Sequence, residues 1–361
     1  MADSAVSDRL VVRSHSGPYE VLFDEASFAR LDAAVPERAH VIVDARVADL
    51  YASDLARLLA SPSVLRIEAS EASKSLDRFP AYVEHLVAAG VRRGHVLVAV
   101  GGGTIQDIAC FLAATLLRGL EWHFYPTTLL AQADSCIGSK SSINVGSIKN
   151  VLGTFTPPAR VVIGTPVLDT LSDEDVRSGI GEMLKVHAIE SPESFDRIAA
   201  DYPQLLLRRE VMTQYIRDSL EIKRVIIEED EFDQGRRNVM NYGHSFGHAI
   251  ESATDFLVPH GIAVTIGMDM ANYTAMRLGR TVESQYRRMH PTLATNYAGF
   301  EYTPIPVDRL LDALSKDKKN KDAELRLVLP DESGRVSLDS YSNDETFREI
   351  SAEYLAGERS R

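Results

Sequence analysis

Two histidines in Gly243-His244-Ser245-Phe246-Gly247-His248 stand at i and i+4, a spacing that puts both on one side of a helix and can present a metal ion. Peptidases of the H-E-x-x-H type carry a glutamate general base beside the first histidine. Here Ser245 takes that place, which argues against peptide hydrolysis and leaves one histidine open to another role. His260 opens the next helical segment after Val258-Pro259. Glu182, in Gly181-Glu182-Met183-Leu184-Lys185, sits in an apolar helical setting where an unpaired carboxylate is costly. One glutamate and two histidines suit Zn²⁺ with positions left open for a substrate. On spacing alone each histidine reads equally well as a hydrogen-bonded helix residue, and His123 and His187 are left with that reading.

A second feature is the apolar, β-branched run Val96-Leu97-Val98-Ala99-Val100, which meets Gly101-Gly102-Gly103-Thr104 and then a helical stretch from Ile105 to Leu117. Glycines allow close approach of backbone to a pyrophosphate, and the helix start directs free N–H groups and its positive dipole end at the anion. A dinucleotide is the natural ligand; a tight strand-to-helix turn without a ligand is the alternative. The spacing is not G-x-G-x-x-G, because Gln106 stands where the third glycine would be. Asp44, at the end of an earlier strand, is placed to accept a ribose hydroxyl or to cap a turn.

Positive charge gathers in a few places. The small-residue loop Ala133-Asp134-Ser135-Cys136-Ile137-Gly138-Ser139-Lys140 is followed by Lys149-Asn150, and Lys223, Arg237 and Asn241 precede the histidine pair. Lysines of this kind supply point charges for phosphate or carboxylate. Lys318 and Lys319 lie in a charged run that reads, taken alone, as a solvated face.

The elements that must position these residues follow from periodicity. The first half alternates short strands with helices, as α/β units around a largely parallel sheet do, while the second half is mainly helical, with the change at about residue 165 near Gly164-Thr165-Pro166. The expected architecture is α/β: a Rossmann-like nucleotide-binding domain over 1–165 and an α-helical metal- and substrate-binding domain over 166–361. The 361 residues are 45% hydrophobic, enough for two cores. A net charge of −13 argues against a nucleic-acid partner. No apolar run is long enough for a membrane span and no basic-then-apolar leader opens the chain, so a cytoplasmic protein is expected. Cys110 and Cys136 read as reduced packing residues.

Taken in order, these segments resemble the 3-dehydroquinate synthase family of sugar phosphate cyclases, from about Val41 to Pro330. The resemblance implies NAD contacts from Glu71, Lys74, Gly101, Gly102, Gly103, Thr104, Asp107, Thr127, Thr128, Thr170 and Leu171, with Asp44 a further candidate. It implies divalent metal ligands, for Zn²⁺ or Co²⁺, at Glu182, His244 and His260. Asp134, Lys140, Lys149, Asn150, Lys185, Lys223, Arg237, Asn241, His248 and Lys318 match residues around the substrate, and Asp134, Lys140 and Lys149 also count among cofactor contacts. Arg118 matches an arginine reaching the phosphate bound by a neighbouring subunit, so a homodimer is implied. The activity implied is conversion of a phosphorylated sugar acid, 3-deoxy-arabino-heptulosonate 7-phosphate, to 3-dehydroquinate with loss of phosphate. It would run through transient oxidation by NAD⁺, elimination, reduction and aldol closure. Retention of Asn241, His248 and Lys318 with Arg237 favours that substrate over sedoheptulose 7-phosphate or glucose 6-phosphate. Departures at Thr104-Ile105-Gln106, Ser139 and Ser141 to Ile148 leave room for a specialised branch of the same chemistry. Metal-dependent alcohol or glycerol dehydrogenases and a non-catalytic nucleotide-binding protein are the other classes weighed.

Overall fold

The computed structural model describes residues 8–146, 148–316, 320 and 324–360; the expectation for Lys318 lies outside the described residues. The chain forms two compact units. One comprises the described residues up to Leu171 together with Lys223–Phe232, and the other comprises Ser172–Ile222 and the described residues from Asp233 onward. The division therefore falls after Leu171, where the sequence suggests about 165. The stretch 223–232, which helical periodicity assigns to the second half, groups with the first unit.

The first unit is built on a seven-stranded sheet in the order β1-β2-β9-β6-β5-β3-β4. Its strands are β1 (Arg9–Val12), β2 (Tyr19–Phe23), β3 (Ala39–Asp44), β4 (Leu65–Ile67), β5 (Val96–Gly101), β6 (Glu121–Pro126) and β9 (Arg160–Ile163). Only β1 runs antiparallel to its neighbour. Val41–Val43 and Leu97–Val100 are buried throughout, as strands covered on both faces must be. Short helices α1 (Leu31–Ala34), α2 (Ala45–Leu50) and α3 (Ala56–Leu59) and the longer α4 (Phe79–Ala88) and α5 (Gly103–Thr115) make the connections, and β7 (Ile143–Val145) pairs with β8 (Ile148–Leu152) as a separate hairpin. The chain passes from β3 outward to β4, then returns to β5 on the other side of β3. That reversal leaves a crevice beyond the carboxyl ends of β3 and β5, where open α/β sheets bind their ligands.

The second unit contains α6 (Asp173–Glu190), α7 (Pro192–Leu205), most of α8 (Arg209–Glu229), α9 (His244–Ala253), α10 (His260–Arg277), α11 (Glu283–Asn296), α12 (Val307–Ser315) and α13 (Glu345–Ala356). It also holds a hairpin of β10 (Glu324–Pro330) and β11 (Val336–Ser342), which the mainly helical reading does not include. Helix α10 is buried from Gly261 to Ala275 and packs on α6, α9 and α11, as a central helix does. The charged residue within that stretch is Asp269, wholly buried, which accepts from Tyr297 Oη at 3.0 Å and Tyr354 Oη at 2.8 Å and pairs with His290 Nδ1 at 2.9 Å. Among the described residues no helix is long and apolar enough to cross a membrane.

Candidate functional site

In the second unit, glycines decide which side chains meet. A Cβ on Gly261 would strike the Ser178 carbonyl, and one on Gly181 would strike the Gly261 carbonyl, so α6 and α10 touch backbone to backbone. The α9–α10 contact is of the same kind, with Gly247 against Val264 and Gly267 against the Gly243 carbonyl. Gly243 itself has φ +77°, a left-handed turn that starts α9 directly at His244, where the periodic pattern predicts a helix from Tyr242. These approaches bring Glu182 of α6, His244 of α9 and His260 of α10 together. Glu182 Oε1 lies 3.6 Å from His244 Nε2 and 3.3 Å from His260 Nε2, while Lys185 Nζ stands 2.5 Å from Glu182 Oε2. His248 joins them: nitrogens of His244, His248 and His260 all lie within 4.8 Å of one another. The structure thus gathers four groups able to hold a metal, one more than the three expected as ligands.

The charges suit that task. Burial would push the Glu182 carboxyl up, but Lys185, His244 and His260 overrule it and hold the group well below the usual carboxylate range. Burial and the neighbouring Lys185 keep His244 neutral, the form that ligates. His260 is pushed up to about 10, since bonds to Glu182 and Glu251 outweigh its burial, so it becomes a ligand only by giving up its Nε2 proton as the metal enters. Glu182 Oε2 is buried with the Lys185 ammonium as its ionic partner, while Oε1 faces the two imidazoles. A carboxylate with two or three imidazoles is a donor set for Zn²⁺ or Co²⁺. Glu251, absent from the sequence expectations, accepts from His260 Nδ1 at 3.1 Å and orients that ring. Its only signal is position, three residues beyond His248 on the same helix. In the same unit Arg237 is buried within the turn Arg236–Asn241, and Asn241 donates to the Asn238 carbonyl at 3.0 Å.

In the first unit the strand, glycine turn and helix follow as expected. A Cβ on Gly101 would strike Ile105 and one on Gly102 would lie 2.8 Å from Thr128, so these two glycines serve the protein's own packing. Above Gly103 the nearest atom is Ser135 Oγ at 4.0 Å, and here at the start of α5 the turn is open to a phosphate group. Thr127 N–H bonds the Gly101 carbonyl at 3.0 Å, and Thr128 Oγ1 accepts from Ala131 N at 3.2 Å. Next to this turn Lys74, 6% exposed, pairs with Asp107 at 2.9 Å and donates to Asn150 at 3.1 Å. Burial nevertheless leaves the Asp107 carboxyl above its ordinary range. Glu71 shows the opposite balance: burial raises it, but Asn144, Lys74 and Lys149 together draw it below. Asn144 donates to Glu71 Oε2 at 2.9 Å and accepts from Asn150 N at 2.8 Å, a joint that the sequence did not reveal. Lys223 Nζ donates to the Asp134 carbonyl at 2.5 Å and stands 2.9 Å from its carboxylate.

The other expected residues have these surroundings. Asp44 caps α2 through Arg46 N at 2.9 Å, the capping alternative noted for it. Thr170 donates to the Val167 carbonyl and meets Tyr51 Oη at 3.3 Å, with Leu171 ending that turn. Lys140 and Lys149 are exposed. Arg118 is exposed on a corner where Leu117 (φ +54°) and Arg118 (φ +67°) are both left-handed, a costly conformation for residues with a Cβ.

Residues 64–178 match the family described as 3-dehydroquinate synthase N-terminal, and 179–320 match 3-dehydroquinate synthase C-terminal. A 3-dehydroquinate synthase of Dictyoglomus thermophilum is 35% identical over 82% of this chain and 84% of its own. Among solved structures, a 2-epi-5-epi-valiolone synthase from Streptomyces hygroscopicus subsp. jinggangensis, with NAD⁺ and Zn²⁺ bound, superposes with a TM-score of 0.80 at 26% identity over 99% of both chains. A 2-deoxy-scyllo-inosose synthase complexed with carbaglucose-6-phosphate, NAD⁺ and Co²⁺ gives 0.82 at 22% identity, over 96% of this chain and 99% of its own, a likeness of fold. Fold and sequence define an enzyme of the sugar phosphate cyclase class. Within that class the chain belongs to the 3-dehydroquinate synthase family.

Proposed function

We propose that the protein converts 3-deoxy-arabino-heptulosonate 7-phosphate to 3-dehydroquinate and phosphate, using bound NAD and a divalent metal, and that it acts as a homodimer. The observation that carries this reading is the Glu182–His244–His260 set, its carboxylate buried and its imidazoles partly exposed, with the Lys185 ammonium against it, a cation site that also offers positive charge to an anionic substrate. NAD⁺ is assigned to the open turn above Gly103, and the metal to Glu182, His244 and His260 with His248 beside them. When bound, NAD⁺ supplies a hydride acceptor and the metal a Lewis acid toward one substrate hydroxyl.

The remaining work falls to side chains. Lys140 and Arg237 are assigned the substrate carboxylate; Asn241, His248, Lys318 and Arg118 of the partner subunit are assigned the phosphate. His248 is exposed and its imidazole lies close to those of His244 and His260, so it can exchange a proton with water beside the assigned metal site. Lys185, Lys223 and Asn150 are assigned to the substrate as well, and Glu71, Lys74, Asp107 and Lys149 to NAD. Phosphate release from this substrate, with sedoheptulose 7-phosphate run in parallel, NAD⁺ and Zn²⁺ or Co²⁺ present and products identified by mass, tests the reading. Release from the first alone, forming 3-dehydroquinate without net NADH, supports it. Release from the second alone moves the protein to another cyclase branch, and net NADH with no phosphate release would make it a dehydrogenase.

A further inference from the structure

We propose that Gln106 is a positioning residue for the reaction: its amide locks the turn that carries Asp134 and thereby sets where Asp134 and Lys223 stand. The inference rests on the proposed function only in taking those two groups to line the site. Gln106 occupies the place of the third glycine in a dinucleotide fingerprint, where a side chain is not expected. It is 5% exposed, and both ends of its amide are used on one residue. Nε2 donates to the Ser135 carbonyl at 2.6 Å while Oε1 accepts from Ser135 Oγ at 2.6 Å. Two bonds from one planar group fix orientation as well as distance, which a glycine at 106 could not do.

Ser135 closes a five-residue π-helical turn, Ala131–Ser135, in which Cys136 N–H reaches back to the Ala131 carbonyl at 2.9 Å. Such a turn carries an extra residue and re-aims the side chains around it. Asp134 is its penultimate residue, and the Lys223 ammonium is held by the Asp134 carbonyl and carboxylate together. The far end of the same segment is held by the next residue of α5, since Asp107 Oδ1 accepts from Ser142 N at 2.9 Å. Adjacent side chains on the first turn of α5 thus pin residues 135 and 142, with Lys140 between the pins.

The test is a double-mutant cycle of Q106L and S135A on the full-length protein, reading kcat and KM for phosphate release together with hydrogen exchange over 131–142. Leucine keeps the buried volume and removes both bonds. If the amide positions the turn, Q106L lowers kcat about tenfold with little change in KM. S135A lowers it less, the double variant is no worse than Q106L, and exchange in 131–142 quickens while α10 keeps its protection. A filler role would leave kcat within about twofold and exchange in 131–142 unchanged, and would overturn the proposal. If Q106L does not fold, S135A alone decides by the same two readouts. If wild-type protein releases phosphate from neither sugar, the proposed function falls, and the exchange data still decide whether Gln106 sets the turn.

Discussion

Removing the Glu251 carboxylate should weaken metal binding without touching any of the four candidate ligands. Glu251 Oε2 stands 3.1 Å from His260 Nδ1, leaving Nε2 to face Glu182 at 3.3 Å. A ring held this way keeps the tautomer in which Nδ1 carries the proton and Nε2 is the donor to a metal. Hydrogen bonds with one charged partner contribute about 1.5–3 kcal/mol, which is about 10- to 100-fold in an equilibrium constant. Glu251→Ala should therefore raise the Kd for Zn²⁺ or Co²⁺ by about 10- to 100-fold. Glu251→Gln retains an uncharged acceptor and should raise it by less, about three- to tenfold. Competition of the metal-free protein against a chromophoric chelator measures both constants, and the visible bands of the Co²⁺ form report the geometry. Equal affinity in wild type and Glu251→Ala, within about twofold, would refute the argument that this carboxylate orients the ligand.

Gly261→Ala should cost several kcal/mol in urea unfolding and abolish activity, because its Cβ would lie inside the Ser178 carbonyl and force α6 and α10 apart. His290 is held above its ordinary range by Asp269, although burial opposes this, so its contribution is complete below about pH 6.5 and declines as pH rises through its folded value. His290→Gln should accordingly lose the most stability, about 3 kcal/mol, in mildly acidic buffer and less at pH 9, as urea midpoints at the two pH values will show. Cys110 and Cys136 are buried and their thiols pushed up to about 12, so neither should react with a thiol reagent until the protein is unfolded, a result read by absorbance.

The parts of the fold that rest on local pattern could be read in the chain. An unbroken apolar run ending in three glycines gives β5 and the start of α5, and the i, i+4 histidines give the shared face of α9. What could not be read depends on contacts between distant segments. No local pattern links Gln106 to Ser135, Asn144 to Glu71 or Glu251 to His260, since each pair is brought together by folding. The C-terminal hairpin was missed for another reason. Its second strand, Val336–Ser342, is more than half polar and has no buried residue, and the alternation begun by Val336 and Leu338 breaks at Ser340, so it lacks the sustained pattern that marks a strand with one covered face. The two left-handed residues at the Arg118 corner leave no trace in residue type, because leucine and arginine are not residues that favour that conformation.

The glycine contacts of α10 also bear on how the sequence can change around the site. Helices held apart by side chains shift when those side chains are exchanged, whereas α6 and α9 rest on α10 through main-chain atoms that every residue shares. Substitutions elsewhere in this core can be absorbed by rotamer changes while the spacing of Glu182, His244 and His260 stays fixed by backbone. The candidate metal centre is thereby insulated from drift in its surroundings, and its tolerance fails at a handful of glycines.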